Sequence, residues 1–116
     1  MINKLIKIIE SCTDLEVKPL FTDKIEECIT YTEQTTADDG VKARHRLELR
    51  LITFTLAKAE DVKKKLISAL VNVGDEMEIE GIYNSNMNGG GVLFDEGTQT
   101  VHTIIYFEYL TRSNKQ

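Results

Sequence analysis

The sequence predicts an α+β domain: an antiparallel β-sheet with two main α-helices packed on one face, and one long β-hairpin. Three observations predict it. Apolar residues recur with helical period near the start of the chain and again in its middle. Two long segments, Arg44 to Leu56 and Thr98 to Thr111, alternate with period two instead. And 116 residues, 41% of them apolar and 28% charged, suffice for one core, because a chain of this length buries roughly two-thirds of its unfolded surface without metal or disulfide staples. Residues 1–116 are therefore read as one domain.

The first helix rests on Ile2, Leu5, Ile6 and Ile9, whose spacing puts them on one face over residues 2 to 12. Lys7 and Glu10 interrupt the apolar run, so the start is read as a cytoplasmic helix and not as a secretory leader, despite the Ser11-Cys12 pair. Pro19 biases Lys18 toward extended backbone and makes residues 13 to 22 a connection, with a short helical turn expected around Asp23 to Glu27. Cys28 to Thr35 is β-branched and aromatic and leads into turn chemistry at Thr36-Ala37-Asp38-Asp39-Gly40. The second hairpin strand follows, with Leu47, Leu49 and Leu51 on one face and Arg44, Arg46, Glu48 and Arg50 on the other.

At Leu51-Ile52 the phase flips: Ile52, Phe54 and Leu56 take the parity that was charged. A one-residue slip exchanges faces, so the flip predicts a β-bulge there or a second partner over the far half of the strand. Thirteen extended residues also span about 43 Å, against a diameter near 35 Å for a domain of this size. The hairpin is expected to bend or project, and its polar tip, Thr35 to Ala43, to become ordered on a partner.

Val62, Leu66, Ala69, Leu70 and Val73 form the stripe of a second helix over Lys58 to Val73, stopped by Gly74. Met77 and Ile79 alternate with glutamates in a short strand, residues 84 to 91 read as a flexible loop, and Val92-Leu93-Phe94 as a strand fragment. Asp95-Glu96-Gly97 turns the chain into a final strand whose second half is apolar on both faces, through Ile105, Phe107 and Tyr109 on one and Ile104, Tyr106 and Leu110 on the other. Such a strand sits centrally or meets a subunit. The tail from Ser113 is expected to fray.

Composition narrows the function. Nineteen acidic residues against fourteen basic ones give a net charge of -5, the wrong sign for gripping nucleic acid by its phosphates. No apolar run approaches the ~20 residues of a membrane span. His45 and His102 lie in strand patterns with no Cys, His or acidic neighbour at ligand spacing, and Cys12 and Cys28 form no CxxC pair, so neither metal nor cofactor is expected. Gly89-Gly90-Gly91 lacks the Lys-Ser or Lys-Thr of a phosphate loop, the serines lack a nucleophile-elbow setting, and Asp14, Asp23, Asp38 and Asp39 have turn chemistry. No catalytic constellation emerges, and the chain is read as a non-enzyme. Its most distinctive polar feature is the stripe Arg44, Arg46 and Arg50 beside the Asp38-Asp39 tip, either a solvated sheet face or an interface reading acidic groups on a neighbouring subunit.

The order of elements, with Arg44-His45-Arg46-Leu47-Glu48-Leu49-Arg50-Leu51-Ile52-Thr53-Phe54 running into the helix at Glu60-Asp61-Val62 and the closing Val101-His102-Thr103-Ile104-Ile105-Tyr106-Phe107-Glu108-Tyr109, resembles the tail terminator (tail completion, minor tail or neck) proteins of long-tailed bacteriophages and prophages. The resemblance spans nearly the whole chain and rests on element order and texture. It implies a structural subunit, assembled in the host cytoplasm, that caps the tail tube as a hexameric ring at the head-proximal end of the virion's tail and offers a surface for head-tail joining. Its partners would be other copies of itself, the tail tube protein and the head-tail connector proteins, with DNA passing through the ring unbound. The family supplies no site motif, so the candidate interface comes from the strand pattern alone: Asp38, Asp39, Arg44, Arg46, Arg50, Ile52, Phe54, Ile104 and Tyr106. The competing class is a dimeric ferredoxin-like regulatory or small-ligand-binding module, since helices on one side of an antiparallel sheet also describe that fold.

Overall fold

The computed structural model describes residues 1–20, 25–71 and 79–113. Helix α1 (Ile2–Thr13) is followed by β1 (Val17–Pro19), β2 (Cys28–Asp38), β3 (Lys42–Thr53), α2 (Leu56–Leu70), β4 (Asn84–Asp95) and β5 (Thr100–Arg112). The strands form one five-stranded sheet in the order β1-β2-β3-β5-β4. All pairings are antiparallel except β1 with β2, which is parallel, so the sheet is mixed where a purely antiparallel one was expected. Strands β3 and β4 run parallel with β5 between them, and α2 connects them: a split β-α-β unit.

Each helix forms for a local reason. In α1, Leu5 and Ile9 are buried, and the helix ends where Asp14 adopts φ 58° and donates its N–H to the Glu10 carbonyl, a left-handed conformation that a short polar side chain tolerates. The Thr55 side chain accepts from Lys58 N at 3.1 Å and caps α2. The buried face of α2 is Ala59, Val62, Leu66 and Leu70, and its last turn closes on Val71 in extended conformation. The helix thus ends before the expected stop at Gly74, which lies outside the described residues, as do the expected helical turn at Asp23, the Met77 strand and the last three residues.

Both helices pack on the sheet face carrying Ile29, Leu47, Leu49, Leu51, Ile105, Phe107 and Tyr109, and these residues close one core with Leu5, Ile9, Val62, Leu66 and Leu70. Burying each such side chain contributes about 1.5–3 kcal/mol. Strand β5 lies between β3 and β4, with Ile105, Phe107 and Tyr109 buried on the helix side and Ile104, Tyr106 and Leu110 half-buried on the other.

The phase flip at Leu51-Ile52 corresponds to no bulge. The β3–β5 register runs unbroken from Lys42↔Arg112 to Thr53↔Val101, and β2–β3 is regular from Cys28↔Ile52 to Thr35↔His45. The strand ends at Thr53 instead, whose hydroxyl donates to the Thr55 carbonyl at 2.8 Å, so Phe54 and Leu56 never share the face of Ile52. Ile52 itself is covered on the helix-free side, where it lines one concavity with Leu20.

Nor does the long hairpin project as a free arm. The molecule is elongated, 46 × 24 × 22 Å with a radius of gyration of 14.6 Å, because β5 accompanies β3 to its end. The tip is held from within: Asp38 Oδ1 accepts from Gly40 N at 2.9 Å and from the Ser113 hydroxyl at 2.6 Å, while Ser113 N donates to the Val41 carbonyl at 2.9 Å. Ser113, expected to fray, is buried.

The larger departure is β4. Residues 84 to 91, read as a loop, pair with β5 along their length, and the register shifts between Gly89 and Gly91. Gly90 is the extra residue of that bulge. A Cβ there would stand 2.8 Å from Ile104 Cγ2, 2.9 Å from Tyr106 Cε2 and 3.0 Å from the Ile104 carbonyl oxygen, whereas at Gly89 it would meet nothing within 4 Å. Gly90→Val is therefore expected to lower unfolding stability by about 1–3 kcal/mol through overpacking, and Gly89→Ala to stay within about 0.5 kcal/mol of wild type. Urea denaturation of both variants checks this, and equal losses would show that the bulge does not demand glycine.

Candidate functional site

No described helix covers the sheet face opposite α1 and α2. Cross-strand rows build it: Gln34, Arg46, Glu108 and Asn86; Thr32, Glu48, Tyr106 and Asn88; Thr30, Arg50, Ile104 and Gly91; Cys28, Ile52, His102 and Leu93. Beyond the first row lie Arg44 opposite Leu110, and Lys42 opposite Arg112. Strand alternation therefore collects Lys18, Lys42, Arg44, Arg46, Arg50 and Arg112 on one surface against Glu48, Glu108 and Asp95, a basic face on a chain of net charge -5.

Much of this charge is already paired. Arg46 Nη2 lies 3.3 Å from Glu108 Oε1, and its guanidinium carbon 5.4 Å from the Tyr106 ring centroid. Lys42 Nζ sits 5.5 Å from the Tyr83 ring centroid. Exposed pairs of this kind contribute about 0–1 kcal/mol to stability; their main effect is to hold the side chains flat along the sheet. Arg44 is exposed and makes no ion pair with any described residue.

Toward the other end of the face, Leu20, Thr30, Thr32, Glu48, Arg50, Ile52 and His102 line a concavity of about 320 Å³. Arg50 Nη1 donates to His102 Nδ1 at 3.5 Å, which leaves the Nε2 proton to be donated to Thr100 Oγ1 at 2.9 Å. Burial, and then the Arg50 charge, hold the His102 pKa below its ordinary 6.5.

Of the nine candidate interface residues, six share this face: Arg44, Arg46, Arg50, Ile52, Ile104 and Tyr106. Three do not. Asp38 ends β2 on the helix side, opposite Ala43, and Asp39 lies in the turn; Asp39 Oδ1 accepts from Val41 N at 2.8 Å and Lys42 N at 2.7 Å, and these bonds hold its carboxyl below the usual range. Phe54, half exposed, sits in the β3–α2 connection with its N–H donated to Glu27 Oε2 at 3.0 Å. Residues missed from sequence are Lys42, because the strand was expected to begin at Arg44, and Arg112, Glu108 and His102, whose parity relative to Arg44 becomes visible only once β3 and β5 are known to be neighbours in register.

The second histidine belongs to the opposite face. His45 is buried, its ring nitrogens 3.1 Å from Thr35 Oγ1 and 2.9 Å from Thr111 Oγ1, and it stacks on Tyr109 at 4.9 Å. The Tyr109 hydroxyl donates to Glu33, and burial, reinforced by that carboxylate, pushes the phenol up. Burial also raises the Cys12 and Cys28 thiols, which keeps them protonated and weakly nucleophilic. Among the described residues no three His, Cys, Asp or Glu side chains are placed to hold a metal, and no helix is long and apolar enough to cross a membrane.

No protein-family model matches the sequence, and no curated protein matches it. Among solved structures the fold is similar to a chain in the virion of a native gene transfer agent particle, at a TM-score of 0.62 and 14% identity, covering 94% of this chain and 84% of that one. The two chains share a fold over those lengths.

His102 gives this face a measurable signature. Its folded-state pKa lies below 6.5, so as pH falls from 7 the unfolded chain takes up the proton first, and stability falls until the folded-state pKa is passed. Proton NMR should place the His102 midpoint below 6.5, Arg50→Gln should move it upward, and His102→Gln should flatten the decline in melting temperature between pH 7 and pH 5. A midpoint at or above 6.5 would refute the arrangement.

Proposed function

We propose that the chain is a structural subunit of a phage-like particle, of the tail terminator kind, which caps the tail tube as a ring and offers a surface for head-tail joining. The observation that carries this reading is the fold shared over 94% of the chain with a virion component of a gene transfer agent particle. The element order and the basic sheet face support it. In this reading the free Arg44, with Arg46 and Arg50 beside it, meets carboxylates on the next subunit, the tube or the connector, where the planar guanidinium fork fits them best. The ring is hexameric and sits at the head-proximal end of the tail, and the chain's acidic balance lets DNA pass without sticking. Catalysis has no part in the role.

The split β-α-β unit is the one observation that favours the alternative, a ferredoxin-like small-ligand module, which would use the concavity at Arg50 and His102. Electron microscopy of the protein mixed with purified tail tubes separates the two. Rings seated on one end of the tube are expected, and Arg44→Glu combined with Arg46→Glu should abolish seating while shifting the melting temperature by no more than about 2–4 °C, since both residues are exposed. Tubes left bare by the wild-type protein, together with a small anion that shifts the His102 resonance, would favour the ligand module.

A further inference from the structure

We propose that β4 of one copy pairs with β4 of a second copy, antiparallel and centred on Leu93, so that the free protein forms a two-fold dimer through this strand. Strand β4 closes one side of the sheet, and none of the described strands pairs with its outer edge. Its last turn-proximal residues Val92, Leu93 and Phe94 are 51%, 62% and 59% exposed. Three successive large apolar side chains on an open strand edge are what soluble monomers avoid, because the unpaired N–H and C=O groups invite another strand.

The bulge at Gly90 sets their directions. Val92 and Phe94, opposite Thr103 and Val101, stand on the helix side, while Leu93, opposite His102, stands on the open face. An occupant must therefore be a β-strand that is apolar on both sides. Among the described strands, two long ones have free edges. On β2, where β1 covers only Ile29 to Tyr31, the free stretch is Thr32, Glu33, Gln34, Thr35 and Thr36, which is polar. The other is β4 itself, and it is self-complementary. In the antiparallel register centred on Leu93, each Val92 faces the partner's Phe94 on one side, each Leu93 faces the partner's Leu93 on the other, and each Asp95 faces the partner's Gly91 rather than a like charge. Aromatic against β-branched pairs are the favoured cross-strand contacts.

The three side chains expose on the order of 300 Å² per copy, well under the ~800 Å² per partner of a standard interface. The dimer is thus one that fills at high concentration and dissociates on dilution. The contact is isologous, whereas a ring is built from heterologous contacts, so it stands or falls separately from the tail-terminator reading.

Sedimentation velocity over a concentration series tests it on the free protein. The expected result is a monomer-to-dimer shift that Leu93→Lys weakens at least tenfold. Geometry is read with Leu93→Cys: directly opposed strand residues lie ~4.5–5.5 Å apart at Cα, within disulfide reach. Mild oxidation should link that variant into dimers much faster than Asn86→Cys, Thr36→Cys or the unsubstituted protein, which controls for Cys12 and Cys28. A monomer at all concentrations, a dimer indifferent to Leu93→Lys, or preferential linkage through Thr36→Cys would each overturn the proposal.

Discussion

The register between β3 and β5 is the constraint on which the rest of the structure depends. Twelve consecutive pairs, Lys42↔Arg112 through Thr53↔Val101, join strands far apart in sequence. That register puts Ile105, Phe107 and Tyr109 beside Leu49, Leu47 and His45, and so fixes which residues meet the helices. It also decides the opposite face, where the same alternation stacks Arg46 against Glu108 and Arg50 against Ile104. A slip of one residue would put the basic side chains into the core. The pairing is non-local, so the β2–β3 hairpin and the helices can form early, but the core stays incomplete until the last strand arrives.

Charge is segregated by the same alternation. A chain with five more acidic than basic residues places six cations, Lys18, Lys42, Arg44, Arg46, Arg50 and Arg112, on one sheet face against three carboxylates, Glu48, Glu108 and Asp95. Pairing within the face divides its residues into two kinds. Arg46 is engaged by Glu108 and Tyr106, and Arg50 points at a histidine whose pKa is lowered by burial and then by the Arg50 charge. Arg44 makes no ion pair with any described residue, so a partner carboxylate would meet its donors without displacing a described ion pair.

The legible parts of the fold are those in which a period persists. The stripe Ile2, Leu5, Ile6, Ile9, the leucines of β3 and the two-sided apolar half of β5 each predict an element that exists, and the central place of β5 follows from its two faces. The misread parts are those where one local signal competes with a tertiary one. Asn84 to Gly91 has the composition of a loop, and only pairing with β5 makes it a strand; Gly90 is required because its backbone passes against Ile104 and Tyr106, and Gly91 because its φ of 114° suits glycine. The flip at Leu51-Ile52 marks the approach of the strand's end, and no sequence rule separates that from a bulge. Asp38 and Asp39 have the composition of a turn, but that Asp38 Oδ1 also accepts from Ser113, a residue 75 positions away in the chain, only the tertiary structure shows.

The two sides of the sheet handle exposure in opposite ways, and this asymmetry bears on how copies can meet. Strand β2 is shielded by β1 over three residues and then carries only polar side chains at its free edge, ending in a register shift between Thr35 and Ala37. Polar side chains and irregularity are the ordinary defences of an edge. Strand β4 has the same defences in its first half, through Asn84, Asn86, Asn88 and the bulge, and then abandons them at Val92. The bulge itself is responsible for the change: by inserting Gly90 it exchanges faces, so that Leu93 emerges beside His102 on the open face while Val92 and Phe94 emerge beyond the reach of α2. A regular strand would have turned Leu93 toward the helices. The bulge therefore does more than relieve crowding over Ile104, because it orients an apolar segment toward solvent on both sides, and that orientation has a physical rationale only if something other than this copy of the chain covers it.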